Sequence, residues 1–143
     1  MISFTVFGTP QPQGSSRAFI PKGWNRPIIT SANPKNKPWR QEIAGTALAE
    51  MERVKLKAAA KGVPVTVEAT FYFTKPKSAR KRDLHKVTKP DADKLARSLL
   101  DALTGIAFAD DSQVIQIKAT KLFGAPERVA VTVYFVEAWD VIS

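Results

Sequence analysis

The stretch "KPDADKLARSLLDAL", Lys89–Leu103, predicts a helix together with its starting point. Pro90 interrupts the preceding backbone, and Asp91 is a residue type that caps helix N-termini. Leucines then recur at steps of four and form one apolar face: Leu95, Leu99 and Leu103. Gly105 follows and predicts the end of the helix. A buried helix of this kind needs a sheet or a second helix against which to pack.

Alternating apolar residues on both sides of this helix predict the strands of that sheet. They occupy the ranges 1–7, 63–73, 115–119 and 129–135. A second helix is predicted by an apolar face that ends at Gly62 and consists of Trp39, Ile43, Ala47, Met51, Val54 and Ala58. Residues 8–38 are predicted as loop, with a short hairpin around 18–30. The order predicts a single α+β domain, 1–143, with a mixed sheet and two main helices.

Charge is the most informative part of the composition. The chain has 143 residues and a net charge of +9, from 22 Lys and Arg against 13 Asp and Glu. Such a balance favours a nucleic acid as the partner, ahead of an acidic lipid surface; a merely basic domain remains the alternative. Cysteine is absent, which excludes disulfides and thiolate metal sites. With neither a signal peptide nor a membrane span in the sequence, we expect a soluble cytoplasmic protein.

Four aspartates stand out against this positive charge. Asp91 and Asp93 open the predicted helix, where they can simply cap it and complement its dipole. Asp110 and Asp111 are adjacent before a strand, although a turn there needs at most one of them. If the connection after the helix doubles back, the four carboxylates converge and require a cation or protons. Oxygen ligands favour Mg²⁺ or Mn²⁺ over Zn²⁺, and such an ion suits phosphodiester hydrolysis.

Basic residues flank the acidic ones along the chain. We expect them to hold a DNA backbone, and they are Arg17, Lys75, Lys77, Arg80, Lys81, Arg82, Lys86, Lys89 and Lys94. Lys94 and Arg97 lie within one turn of Asp91 and Asp93, so they either form helix ion pairs or contact a scissile phosphate. Around Arg17, basic and aromatic residues are interleaved, which suits either DNA contact or an ordinary surface loop. The single histidine, His85, is interpreted as a bystander.

The segment "KPDADKLARSLLDALTGIAFADDSQV", residues 89–114, resembles the RusA family of Holliday junction resolvases, which prophages often carry. It shares an Asp-x-Asp motif that opens a helix, a Leu-Asp-Ala-Leu segment and a paired Asp-Asp before a strand. The N-terminal "GTPQPQGSSR" and the final "RVAVTVYF" are also similar to family segments. The resemblance therefore extends over nearly the whole chain and implies a RusA-like fold.

The resemblance further implies a homodimer that recognises four-way DNA junctions and cuts two opposing strands symmetrically with Mg²⁺ or Mn²⁺, without an organic cofactor. By position, Asp91, Asp93 and Asp111 match the metal-binding catalytic aspartates, with Asp110 beside them as a further ligand. Arg97 stands where the family has a catalytic lysine, and arginine retains the charge but does not readily give up a proton. Lys94 stands where asparagine is common. The resemblance also implies a bacterial host and a gene carried by a phage or prophage.

Two other functions remain compatible with the sequence. One is a non-catalytic nucleic-acid-binding module that uses the same basic face. The other is a metal-dependent nuclease of different branch specificity, which acts on flaps or replication forks. Both predict a DNA-binding surface, and they differ from a resolvase in whether DNA is cut and which branched structure is cut.

Overall fold

The computed structural model describes residues 1–14, 16–31 and 33–136, with side chains left out at 16–18 and 29–31. Within these described residues, six strands and two α-helices follow one another. They are β1 (Ile2–Phe7), β2 (Ser16–Phe19), β3 (Ile28–Ser31), α1 (Asn36–Arg53), β4 (Val65–Phe73), α2 (Ala92–Leu103), β5 (Val114–Phe123) and β6 (Arg128–Phe135). A 3-10 turn, Asp111–Gln113, precedes β5. The order matches the prediction, including the hairpin, which β2 and β3 form as an antiparallel pair.

Four of the strands form a mixed sheet in the order β1-β6-β4-β5. The outer pair β4 and β5 is parallel, and the other neighbours are antiparallel. A parallel pair needs a crossover connection, and α2 lies in that connection between β4 and β5. The predicted α+β class with a mixed sheet and two helices is confirmed. The crossover also means that α2 runs back along the strands, so its two ends lie at opposite ends of β5.

The core lies between one face of the sheet and the two helices. Every second residue of the central strand β4 is buried, from Val65 to Phe73, because side chains alternate between the two faces of a strand. The predicted leucine face of α2 is fully buried against this face. The opposite face of the sheet is polar, and there Ser3 and Thr132 share a hydrogen bond of 3.0 Å. Because one face of the sheet is buried and the other is exposed to solvent, apolar and polar residues alternate along its strands.

Helix α1 is shorter at its C-terminal end than predicted. It ends at Arg53, and Lys55 takes a positive φ of 57°, which a helix cannot continue through. Val54 is consequently exposed, and Ala59 rather than Ala58 is buried. The amide of Ala59 donates to the carbonyl of Ala107 at 2.8 Å, which ties this segment to the connection after α2.

The turn between β5 and β6 is fastened by one carboxylate. Glu127 accepts hydrogen bonds from the Thr74 amide at 2.9 Å and from the Thr9 hydroxyl at 2.7 Å. The Thr74 amide, followed by the Thr9 hydroxyl, lowers the pKa of Glu127 below its usual value. The carboxylate thereby joins the ends of three strands at one point.

We expect Glu127→Gln to lower the free energy of unfolding at pH 7 by about 1 kcal/mol, since the charge-assisted bonds are partly exposed to water. A lowered pKa stabilises the fold above the ordinary glutamate pKa of about 4.3, and that contribution is lost as the pH falls through the lowered value. Urea denaturation at pH 7 and at pH 3.5 measures the difference. The exposed Glu42→Gln is the matched control, and an equal loss for Glu127→Gln at both pH values would contradict the assignment.

Candidate metal centre and DNA interface

Asp91 takes the N-cap position of α2, but its side chain does not act as a cap. Its backbone is extended, and its carbonyl accepts the first helical hydrogen bond, from the Leu95 amide at 3.1 Å. The carboxylate accepts no capping hydrogen bond. Within the described residues, ion pairs form at Arg53–Glu50 and Arg80–Asp83, and neither Asp91 nor Asp93 takes part in one. The helix therefore leaves both carboxylates free for another ligand.

Asp91 opens into a cleft of about 450 Å³ between α2 and the N-terminal loop. The lining residues are Pro12, Gln13, Gly14, Asn33, Lys89, Pro90, Asp91 and Lys94. The loop is held on the first turn of α2, where the Gln13 amide donates to the Lys94 carbonyl at 2.9 Å. Below the loop, the buried Asn36 side chain donates to the Ser98 hydroxyl at 2.7 Å and to the Pro12 carbonyl at 3.2 Å. The cleft thus combines a carboxylate, two lysines and a fixed loop.

An acceptor atom without a donor lies in the wall of this cleft. The side-chain oxygen Oε1 of Gln13 is buried and has no hydrogen-bond partner among the described residues. A buried amide oxygen without a donor costs free energy unless a ligand or water supplies one. Magnesium keeps several of its waters, and those waters need acceptors of this kind. In chemical type, the carboxylates of Asp91 and Asp93 fit a hydrated hard cation.

Asp110 and Asp111 differ sharply in what their side chains do. Asp110 caps the 3-10 turn: its carboxylate accepts from the Ser112 amide at 2.9 Å, while the Gln113 side chain accepts from the Asp110 amide at 2.9 Å. The Ser112 amide holds the pKa of Asp110 below its usual value. Asp111 is exposed and does not cap, and the hydrogen bond to Asp110 and the negative charges of Asp110 and Asp101 raise its pKa. The Asp110 carboxylate therefore holds the turn, and the Asp111 carboxylate lies exposed beside it.

The return of Asp110 and Asp111 toward Asp91, which the sequence left open, is not seen within one chain among the described residues. The connection after α2 is a short turn in which the Gly105 amide donates to the Phe108 carbonyl at 2.7 Å, and it continues directly into the 3-10 turn. Asp111 therefore neighbours Asp101 near the C-terminal end of α2, and Asp91 and Asp93 lie at its N-terminal end. Across residues 1–14, 16–31 and 33–136, no group of three or more His, Cys, Asp or Glu side chains is arranged to hold a metal ion.

The basic segment, residues 75–89, lies beside the cleft along the C-terminal end of β5. The Phe123 amide donates to the Leu84 carbonyl at 2.9 Å. Lys121 donates to the carbonyls of Thr88 and Pro90, both at 2.8 Å, and so fixes the backbone that leads into Asp91. The segment is thereby placed next to the acidic end of α2, as its position in the sequence suggested.

The cations of the basic segment fall into two groups. Lys75 and Lys86 are half-buried and brace the segment: Lys75 donates to the Lys81 carbonyl at 2.9 Å, and Lys86 lies 5.3 Å from the centre of the Phe73 ring. The exposed cations are Lys77, Arg80, Lys81, Arg82 and Lys89. Of these, Arg80 lies 3.7 Å from Asp83. The remaining exposed cations have their charges available to a polyanion.

Three further residues complete the placement of the predicted site. Arg97 is exposed on α2 between Asp93 and Asp101, and it forms no ion pair among the described residues. His85 is exposed and forms a bridge to Leu122 at the sheet edge. Arg17 lies in β2, and its side chain is outside the described residues, so its predicted DNA contact stays a prediction.

Comparison with known proteins identifies the family of the chain. The sequence matches the family model described as "Endodeoxyribonuclease RusA" over residues 8–134. The chain belongs to the RusA family. All four aspartates and both main helices lie within the matched range. The chain is also similar to "Uncharacterized protein YqaN" from Bacillus subtilis (strain 168), with 31% identity over 148 aligned residues that cover 96% of this chain and 98% of YqaN.

Two residues of the site were not singled out in the sequence. Asp101 sits eight positions after Asp93, so two steps of four link it to the start of the helix. Gln13 lies in the Pro-rich loop, and its role depends on the way that loop folds over α2. The helical spacing was a usable signal for Asp101. The local sequence gives no signal for Gln13, because only the tertiary packing of the loop decides whether its amide oxygen finds a hydrogen-bond donor.

Proposed function

We propose that this chain is a divalent-metal-dependent endodeoxyribonuclease that resolves four-way DNA junctions by paired, symmetric cleavage. Membership of the RusA endodeoxyribonuclease family supports the nuclease class. The observation that carries the proposal is the Asp91 carboxylate, which lies in a cleft with two lysines and accepts no capping hydrogen bond and forms no ion pair among the described residues. A non-catalytic DNA-binding module has no use for an unpartnered carboxylate, which repels phosphate.

The roles follow from the contacts of each residue. Asp91, Asp93 and Asp111 are assigned as ligands of Mg²⁺, for which Mn²⁺ is a plausible substitute. Asp110 acts by orienting Asp111, because its own carboxylate is held by the Ser112 amide. When bound, the ion supplies an activated water and neutralises developing charge on the phosphate.

The cations are assigned to the DNA. Lys94 and Arg97 are assigned to the phosphate next to the scissile bond, where arginine binds two oxygens but does not serve as an acid. The exposed cations of the basic segment and Arg17 are assigned to the backbone of the DNA arms. A homodimer is part of the proposal because two symmetric cuts need two sites. The biological role proposed is recombination and repair in the cytoplasm of a bacterial host, with the gene carried by a prophage.

Cleavage of matched DNA substrates tests the proposal. Four-way junction, flap, fork and linear duplex of the same arm sequences are incubated with the protein in Mg²⁺, with EDTA as the metal-free control. We expect symmetric nicks in the four-way junction, no cleavage of the linear duplex and no cleavage in EDTA. Preferred cutting of flaps or forks would assign a different branch specificity, and binding without cutting in any divalent metal would identify a binding module.

A further inference from the structure

The hairpin formed by β2 and β3 starts and ends at the rim of the cleft. Strand β2 begins two residues after Gly14, and β3 ends two residues before Asn33, and both Gly14 and Asn33 line the cleft. The Asn33 side chain donates to the Pro12 carbonyl at 2.9 Å, which ties the end of the hairpin back to the chain before it. Because the Gln13 amide donates to the Lys94 carbonyl, the base of the hairpin is held on the first turn of α2.

The tip of the hairpin is a defined turn. The Trp24 amide donates to the Pro21 carbonyl at 3.0 Å, which closes a four-residue turn. Gly23 is the third residue of that turn and has a φ of +86°, a conformation that favours glycine and that a type II turn requires at this position. The turn therefore sets the point at which the Trp24 side chain leaves the hairpin.

Neighbouring apolar side chains are exposed at this tip. Phe19 is 47%, Ile20 61% and Trp24 59% exposed. Among the described residues, the Trp24 side chain makes no hydrogen bond or ring contact. Trp39 of α1, by contrast, is only 5% exposed and belongs to the core. Large apolar side chains that are exposed together mark an interaction surface.

The charge of the tip indicates its partner. Lys22 and Arg26 are exposed on either side of Trp24 in the sequence, and neither forms an ion pair within the described part of the chain. No Asp or Glu occurs before Glu42, so this part of the chain has no carboxylate to repel a polyanion. An aromatic ring with cations beside it is a combination that binds unstacked nucleic acid, because the ring stacks on a base while the cations contact phosphates.

We propose that the hairpin stacks Trp24 on a base that is unstacked at the branch point of the DNA. Within a continuous duplex, both faces of a base are covered by its neighbours, so an aromatic ring finds a free face only where the stack is interrupted. Lys22 and Arg26 are assigned to the phosphates on either side of that base. The inference rests on the proposed function for its choice of branched DNA, and it adds a contact that distinguishes a branch from a linear duplex.

The length of the hairpin suits this arrangement. The four residues of β2, Ser16–Phe19, measure about 13 Å, so the tip lies roughly that far along the hairpin from the cleft. At about 3.4 Å per base pair, this length corresponds to about four base pairs of DNA. The tip can therefore occupy the branch point while the cleft receives a phosphate only a few nucleotides away. Because the hairpin base is tied to α2, binding at the tip also determines which stretch of strand faces Asp91.

Substitutions at Trp24 test the stacking. We expect Trp24→Ala to weaken binding of a four-way junction in EDTA by about 5- to 150-fold, the range for removal of one aromatic ring that stacks on a base. Trp24→Phe keeps a ring and should recover most of the affinity. Both variants should bind linear duplex of the same arm sequence as tightly as the wild type, because a duplex offers no free base face. Gel-shift titrations measure these affinities.

The salt dependence of junction binding separates stacking from phosphate contact. A stacked ring releases no counterions, so Trp24→Ala should leave the slope of log affinity against log salt concentration unchanged. The double variant Lys22→Ala/Arg26→Ala should lower that slope by about 1.8, since each phosphate contact contributes about 0.9. A fall in slope for Trp24→Ala would indicate a displaced hairpin and would overturn the stacking contact.

Tyr134→Ala is the matched control for loss of an exposed aromatic ring. Tyr134 is 39% exposed on β6 and pairs with Thr66 near the start of β4, whereas the cleft lies level with Phe71 near the end of that strand. This variant should bind the junction with wild-type affinity. Circular dichroism confirms that each variant is folded.

Tryptophan emission reports the contact directly. We expect the junction to quench the emission of the wild type, linear duplex to have no such effect, and the quenching to be absent in Trp24→Phe. Vesicles that contain phosphatidylglycerol serve as a second probe. A blue shift with vesicles and no change with the junction would assign the tip to a lipid surface and overturn the proposal.

The outcomes keep this inference separate from the proposed function. Full junction affinity of Trp24→Ala, or an equal loss for junction and duplex, would overturn the stacking contact even if the wild type cuts junctions in Mg²⁺. Because the binding and emission measurements are made in EDTA, they do not depend on cleavage. Junction-specific quenching by a wild type that cuts no DNA would support the stacking contact and reject the proposed nuclease activity.

Discussion

Asp91→Asn is expected to abolish Mg²⁺-dependent cleavage of a four-way junction while binding of that junction is retained. The loss should exceed about a hundredfold, because even the outer partners of metal ligands are worth 10- to 100-fold. Asparagine is as good an N-cap as aspartate, and the Asp91 side chain makes no capping bond in any case, so α2 should be unchanged. Loss of a negative charge that faces phosphate should leave binding equal or tighter. Single-turnover cleavage and gel-shift titration measure the two effects.

The control for this variant is Glu42→Gln, which removes the same charge from the exposed face of α1. It should cut at the wild-type rate, so a drop in cleavage specific to Asp91→Asn cannot be assigned to net charge. If Asp91→Asn cut junctions at the wild-type rate, the carboxylate would not be an ion ligand. Weakened binding with normal cleavage of bound DNA would instead make Asp91 a residue of the DNA-contact surface.

The double variant Lys81→Ala/Arg82→Ala is expected to weaken junction binding roughly tenfold or more at low salt. Both side chains are exposed and make no hydrogen bond or ion pair within the described chain, so their charges are available to DNA. Each phosphate contact contributes about 0.9 to the slope of log affinity against log salt concentration, and the slope should therefore fall by about 1.8. Binding titrations at a series of salt concentrations measure both quantities.

Lys37→Ala/Lys57→Ala is the matched control, because it removes the same charge from exposed positions outside the basic segment. If both double variants lost the same affinity and slope, binding would depend on overall charge and not on the basic segment. A normal slope for Lys81→Ala/Arg82→Ala, together with weaker binding, would indicate that these residues shape the segment without contacting phosphate.

Most of the fold was predictable because the apolar residues of each helix and strand recur with the period of that element. Alternation in β4 and the spacing of Leu95, Leu99 and Leu103 in α2 are imposed by burial on one face, so they are visible in the sequence. The end of α1 was mispredicted because apolar spacing continues through Val54 and Ala58. The chain leaves the helix there through the positive φ of Lys55, for which the sequence carries no glycine or proline signal.

The site was predictable in its residue types but not in its distances. The Asp-x-Asp pair and the adjacent aspartates were recognisable from the sequence, and the structure separates Asp110, which caps a turn, from Asp111, which does not. Whether the two pairs meet depends on the path of the chain after α2. The parallel pairing of β4 and β5 decides that path by sending the chain back to the start of the sheet. Sequence spacing carries no information about such a long-range pairing.

The hydrogen bonds of Asn36 have a mechanical consequence. This buried amide links the first turn of α1 to the middle of α2 through Ser98 and to the N-terminal loop through Pro12. The side chain of Asn36 therefore joins the N-terminal loop, α1 and α2 at one point. Widening the cleft would require the N-terminal loop to break the Asn36–Pro12 and Gln13–Lys94 hydrogen bonds, so DNA bound as proposed would meet a gap whose width these bonds hold.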